Sequence, residues 1–311
     1  MDFTFDDTRR ALGDLARQVF TERASHDRLK ELEAGGQSFD RDLWNALDRA
    51  GLLGVGVDEG GFLEQCVVLV EQGRTVAPVP LWSHYIGAAA IGSADGLVSV
   101  AFDDAGGVGC GAPALDEATA LVATRDGQAY LLDPGKVDAQ RRETTAGFPE
   151  YEVDFDVANA TPLTVDADAL RLKAVVALCA LGVGVAERAL ELTAAYTSER
   201  KQFDKPLGSF QAVQQRAADA YIDVEAMRVT MWQAAWRISE GLEADREVRI
   251  AKFWAAEGGQ RVVSSAQHLH GGLGADIDYP LHRYTLWSKW IELAFGGATP
   301  TLSRMGAELV R

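Results

Sequence analysis

The sequence predicts a mainly α protein with a small β subdomain. Apolar residues recur at three- and four-residue spacing near both ends of the chain. That periodicity vanishes over roughly 97–164, where short β-prone runs alternate with turn pairs. At 311 residues and 47% hydrophobic, the chain can build more than one core. The expected organisation is a helical domain over 1–95, a reduced β domain over 96–165 and a four-helix domain over 166–311.

Over residues 8–21, Leu12, Leu15, Ala16, Val19 and Phe20 share one helical face. A second helix over 40–50 carries Leu43, Trp44 and Leu47, with Gly51 as its stop. A third, over 62–72, is expected to end at Gly73, ahead of Val76-Ala77-Pro78-Val79-Pro80, whose prolines break a helix. The β-prone runs are 98–102, 120–124, 129–132 and 151–155. Gly106-Gly107, Asp126-Gly127 and Asp133-Pro134-Gly135 supply turns between them.

From residue 166 the pattern is helical again, over roughly 168–199, 209–240, 244–269 and 280–293, with a short helix near 300–310. Long helices with short connections fold as an antiparallel bundle. Gly182 and Gly184 weaken the first of these helices, so close approach by another helix or a ligand must compensate. Trp232, Trp236 and Trp254 are expected to fill the helical core.

Composition excludes several classes of function. A formal net charge of −16 argues against nucleic acid and against anionic membrane surfaces. A few local arginines can still hold an anionic cofactor on such a chain. No run of 18 apolar residues occurs, so no transmembrane helix is expected. The acidic start lacks a signal peptide's basic and apolar regions. Cys66, Cys110 and Cys179 are odd in number and far apart, with no CxxC. We expect neither disulfide nor metal site, and a cytoplasmic location.

Two segments carry chemistry. The first is Glu199-Arg200-Lys201-Gln202-Phe203-Asp204-Lys205-Pro206-Leu207-Gly208-Ser209-Phe210-Gln211, between two long helices. The second is Gln267-His268-Leu269-His270-Gly271-Gly272-Leu273-Gly274. Arginine meets a pyrophosphate as a planar fork, and glycines let backbone N–H groups approach the same ligand, so the ordered pair suits a dinucleotide. Taken singly, Arg200 also reads as a helix-terminal arginine and 271–274 as a helix stop. Glu225 and Arg228 stand three apart on one helical face and can pair. For His268 and His270, packing is the expected role.

With these motifs the chain resembles the acyl-CoA dehydrogenase family over nearly its whole length. The order of helical domain, β domain and C-terminal four-helix bundle is that family's order. The resemblance implies FAD, with Arg200, Gln202, Phe203 and Gln211 reaching the flavin of a neighbouring subunit. It places Gln267, Gly271, Gly272 and Gly274 along the pyrophosphate and adenosine end, and Glu225 and Arg228 near the acyl-CoA. The family's reaction removes hydrogens from the α and β carbons of an acyl-CoA: a carboxylate takes the α-proton and flavin takes hydride.

This chain departs from that pattern at three places. The base loop reads Ala294-Phe295-Gly296-Gly297-Ala298-Thr299-Pro300, putting Phe295 or Gly296 where a glutamate belongs. The alternative base position aligns with Ala174, so no catalytic base is recognisable. The family's flavin-holding β-domain motifs are missing; the nearest candidate, Gly106-Gly107-Val108-Gly109-Cys110-Gly111-Ala112-Pro113, does not match them. Asp204 stands where glycine is usual.

These departures resemble the short, β-type subunit of heterotetrameric (α2β2) steroid-degrading acyl-CoA dehydrogenases. The implied partners are a larger acyl-CoA dehydrogenase-like subunit, an acyl-CoA such as a steroid-derived thioester and, by analogy, an electron-transfer flavoprotein. Two alternatives stay open. One is a self-sufficient homomer using a relocated acid, Asp276 or Asp278, although a solvated loop also accounts for both. The other is a structural subunit without FAD.

Overall fold

Five helices open the chain in the computed structural model, which describes residues 5–103 and 110–309. They are α1 (Asp7–Arg23), α2 (His26–Ala34), α3 (Arg41–Arg49), α4 (Phe62–Thr75) and α5 (Leu81–Ile91). Asp6, Ser25 and Asp40 cap the first three through side-chain oxygens that accept backbone N–H bonds. Two of the five, α2 and α5, escaped the sequence reading. Only Leu29 and Leu32 of α2 are buried, too few to show a period. By contrast, α5 is buried continuously from Leu81 to Ala88, so it has no polar face to alternate with.

Gly73 is not the stop that the sequence suggested, because α4 runs on to Thr75 and ends at Val76 in the left-handed region. The glycine serves packing instead. A Cβ on Gly73 would lie 2.1 Å from the Leu181 carbonyl oxygen, and one on Gly184 would lie 2.0 Å from that of Val70. The two glycines let α4 and α6 (Ala167–Glu199) meet backbone to backbone. That contact is the compensation expected for Gly184, while Gly182 sits in ordinary contact with Ile291.

The next segment forms two sheets from β1 (Val98–Ala101), β2 (Ala112–Pro113), β3 (Ala120–Arg125), β4 (Gln128–Leu132), β5 (Asp138–Glu143), β6 (Pro149–Asp154) and β7 (Thr161–Asp166). One sheet has the order β1-β3-β4-β7, with β1 and β3 parallel and the rest antiparallel. The other is antiparallel, in the order β2-β6-β5. Three strands, β2, β5 and β7, lie outside the β-prone runs of the sequence. Every residue of β5 is exposed, so pairing with β6 defines it and no apolar alternation announces it. Pro162 is tolerated in β7 because that strand is an edge. Residues Gly106–Gly109 of the glycine-rich run lie outside the described residues.

The helical half comprises α6, α7 (Gln211–Ser239), α8 (Asp245–His270), α9 (Leu281–Leu293) and α10 (Ala298–Leu309). By length and composition α6 could cross a membrane, but 78% of its apolar window is buried inside this fold. It is the central core helix, packed on α4, α7, α8 and α9. One continuous core joins these helices to the N-terminal ones and to β1. A smaller cluster, including Leu121, Leu132 and Phe155, lies against the second sheet. Trp232 and Trp254 are partly buried against the main core, whereas Trp236 is 39% exposed, against expectation.

Candidate functional site

Both predicted segments fall at one end of the bundle. Because α6, α7 and α8 alternate in direction, the connection after α6 and the turn after α8 lie side by side. Tyr196, in the last turn of α6, stacks on His270, the last residue of α8, with ring centroids 4.4 Å apart. The His270 Nδ1 lies 2.8 Å from the Ala266 carbonyl oxygen and its Nε2 3.1 Å from the Tyr279 hydroxyl. Burial lowers the pKa of this imidazole, and it pins the two helix ends together. Packing was the expected role.

The connection after α6 is a hairpin of β8 (Lys201–Gln202) and β9 (Lys205–Pro206). Its two-residue turn is Phe203-Asp204, with φ of 52° and 62°. Two positive φ values match the right-handed twist of a tight hairpin, but glycine or asparagine usually supplies them. A phenylalanine held there is strained, and strain of this kind collects at functional positions. Phe203 is 87% exposed, with the Phe210 ring 6.4 Å away. Arg200, Gln202 and Gln211 are exposed beside it.

In the second segment, a 3-10 turn spans Gly271–Ala275. Gly271 and Gly272 are exposed, with open space where side chains would stand, and Gly271 has φ of 60°. Gly274 is buried, and a Cβ there would lie 2.9 Å from the Gln267 carbonyl oxygen. It therefore folds the turn back onto α8, leaving the first two glycines as the accessible ones. On the outer face of α7, Tyr221, Ile222, Val229 and Trp236 are exposed at helical spacing.

The positions where a base would stand are closed. Phe295 is buried and meets Phe102 edge to face at 5.3 Å. The Arg171 guanidinium lies 5.5 Å from the Phe102 ring and 5.9 Å from the Phe295 ring. Gly296 is buried, and Ala174 is fully buried in α6. Beneath this loop, the buried Lys252 Nζ donates to the carbonyls of Ile291 (2.6 Å) and Glu292 (3.1 Å), closing the end of α9. Burial pulls that ammonium down to about 8.

Asp276 and Asp278 are exposed. Asp276 accepts the Asp278 N–H at 2.9 Å, and Asp278 pairs with Lys30 of α2 at 2.5 Å, which holds its carboxyl below the usual range. Glu225 and Arg228 do pair, at 2.6 Å. Arg228 also holds Glu187 of α6 at 2.8 Å, and Glu187 binds Arg74 of α4. The pair is committed to joining three helices.

Glu150 drew no attention in the sequence, where it is one acid in a polar strand. It accepts the Trp290 Nε1–H at 2.8 Å, and burial raises its carboxyl to about 7. Nothing in its neighbours along the chain signals the partner 140 residues away.

The family model "Acyl-CoA dehydrogenase, C-terminal domain" matches residues 173–308. Acyl-CoA dehydrogenase FadE27 of Mycobacterium tuberculosis (strain ATCC 25618 / H37Rv) is 36% identical, with 99% of each chain covered. Among solved structures, a chain of the ChsE4-ChsE5 complex from Mycobacterium tuberculosis superposes with a TM-score of 0.88 at 34% identity, covering 100% of this chain and 99% of that one. A chain of a Tcur3481-Tcur3483 steroid ACAD variant gives 0.87 at 36% identity, with 98% of each covered. Fold, motif order and full-length similarity agree: the chain belongs to the acyl-CoA dehydrogenase family.

Proposed function

We propose that this chain is the shorter subunit of a heteromeric, FAD-dependent acyl-CoA dehydrogenase. It lends an exposed arm to a flavin held chiefly by a larger partner. The carrying observation is the contrast between an 87% exposed Phe203 at the tip of the arm and a buried Phe295 at the base position; both take positive φ, so exposure alone separates them. Arg200, Gln202, Phe203 and Gln211 would meet the flavin, with Gln267, Gly271 and Gly272 along its phosphates. Gly274 shapes that turn.

The flavin, when bound, supplies a hydride acceptor. This chain's residues would orient it and exclude water, and the partner would supply the base. The apolar face of α7 suits a subunit contact, since Tyr221, Ile222, Val229 and Trp236 have no cover here. Two similar structures are named for two components, and one is named a steroid ACAD. A steroid-derived CoA thioester is the substrate we expect, with an electron-transfer flavoprotein as acceptor and the cytoplasm as location.

Visible absorbance tests this reading. The chain alone should be colourless, and the complex co-purified with a larger dehydrogenase subunit should be yellow. Arg200→Ala should cut flavin occupancy of that complex by roughly tenfold, the cost of one charged hydrogen-bonding partner. Unchanged occupancy would refute the shared flavin. A colourless but stable complex would favour a structural subunit, and a yellow single chain a homomer.

A further inference from the structure

The arm beyond α6 has two faces, and the ladder of its hairpin decides what each carries. Lys201 pairs with Pro206 and Gln202 with Lys205. The Leu207 N–H donates to the Arg200 carbonyl at 2.8 Å, which carries the pairing one step further from the turn. Directly opposed residues of such a ribbon stand on one face, about 5 Å apart at Cβ, and successive residues alternate between faces. Arg200, Gln202 and Lys205 therefore share one face, and Lys201 and Pro206 share the other.

The cations on these faces are uncommitted. Among the described residues, Arg200, Lys201 and Lys205 make no ion pair, and all three are exposed. Arg188 and Arg228, on the helices before and after the arm, are by contrast both held by glutamates. Residues 200–205 hold three cations and one acid, Asp204, in a chain whose formal net charge is −16. A dinucleotide's pyrophosphate carries a negative charge on each phosphate. Arg200 can balance one of them, and Asp204 at the turn works against it. The other cation on the face of Arg200 and Gln202 is Lys205.

We propose that Lys205 is a second cofactor-binding cation of the arm. Its ammonium meets the pyrophosphate beside Arg200 and Gln202, while Lys201 faces away. The assignment rests on the shared-flavin reading and adds a residue which that reading does not use. A lysine suits the place, because a point charge on a long stem needs proximity to the anion but no fixed planar geometry.

Release of FAD from the co-purified complex on dilution, followed as recovery of flavin fluorescence, gives the apparent Kd that tests it. Lys205→Met keeps the stem, removes the charge and should weaken FAD by about three- to tenfold. That penalty should shrink at high salt, as a lost charge contact requires and a packing defect does not. Lys205→Arg restores the charge and should stay within about twofold of the unsubstituted complex. Lys201→Met removes the same charge from the opposite face and should also change the affinity by less than about twofold. Equal losses from the two methionine variants overturn the assignment of faces. An unchanged Kd in Lys205→Met, where Arg200→Ala weakens FAD, overturns the role of Lys205 and leaves the shared flavin standing. If neither variant weakens FAD, the shared flavin fails and the role of Lys205 falls with it.

Discussion

The α4–α6 crossing and the arm beyond α6 are built from the same kinds of residue for opposite ends. At the crossing, Gly73 and Gly184 are buried and each faces a neighbouring backbone at a distance no side chain could occupy. At the arm end, Gly271 and Gly272 face open space, and Phe203 takes a backbone conformation that glycine would adopt more easily. Glycine marks close packing in one place and accessibility in the other. The interior is closed even where the family does its acid–base chemistry, and it buries Val76 and Phe295 at positive φ, while the exposed groups of the arm point outward. That division is what a chain completing another subunit's site would need.

The largest effect should come from testing the glycines against each other. Gly184→Ala drives a methyl group into the Val70 carbonyl and should cost about 3–5 kcal/mol, with loss of cooperative unfolding a further outcome. Gly272→Ala should stay within about 0.5 kcal/mol by urea denaturation, since its surroundings are empty. Equal losses at both positions would remove the distinction between the two regions.

A smaller effect sharpens the account of the interior seam between β6 and α9. Burial raises the Glu150 carboxyl to about 7 in the folded chain, above its ordinary 4.5. The stability it contributes is therefore full below about pH 4.5 and is lost as pH rises through 7. Glu150→Gln keeps an acceptor for Trp290 and cannot ionise. Relative to wild type, the variant should gain about 1–3 kcal/mol between pH 5 and pH 8 in paired urea titrations. A wild-type-minus-variant difference that does not change with pH would mean that Glu150 ionises freely.

The smallest effect probes the arm. Asp204 has φ of 62°, so Asp204→Gly relieves strain and should stabilise the isolated chain by about 0.5 kcal/mol at most. Removing the acid should also raise flavin occupancy of the co-purified complex in the visible spectrum. A fall in occupancy would show that the carboxylate, or the stiffness it gives the turn, is wanted there.

How much was legible in the sequence followed from length and periodicity. The helices α6, α7, α8 and α9 were readable to within a few residues because each sustains its pattern over 13 residues or more. Short elements without a repeating face, such as α2, β5 and β7, were not, because pairing or burial by distant segments defines them. The arm was legible as a motif, while its strained turn and outward projection were not. The contact of Glu150 with Trp290 was invisible, being made by residues far apart in the chain.

The sequence by itself determined the family, the helical bundle and the absence of a proton acceptor at Phe295, Gly296 and Ala174, because these rest on residue identity: those three side chains cannot take a proton wherever they sit. Tertiary structure alone decided what each residue faces. It made Gly73 a packing point rather than a stop and left Trp236 exposed. It tied Asp278 to Lys30 and fastened Arg228 between Glu187 and Glu225. The reason is physical: a residue's chemistry travels with the chain, but its solvation and partners exist only after distant segments have packed.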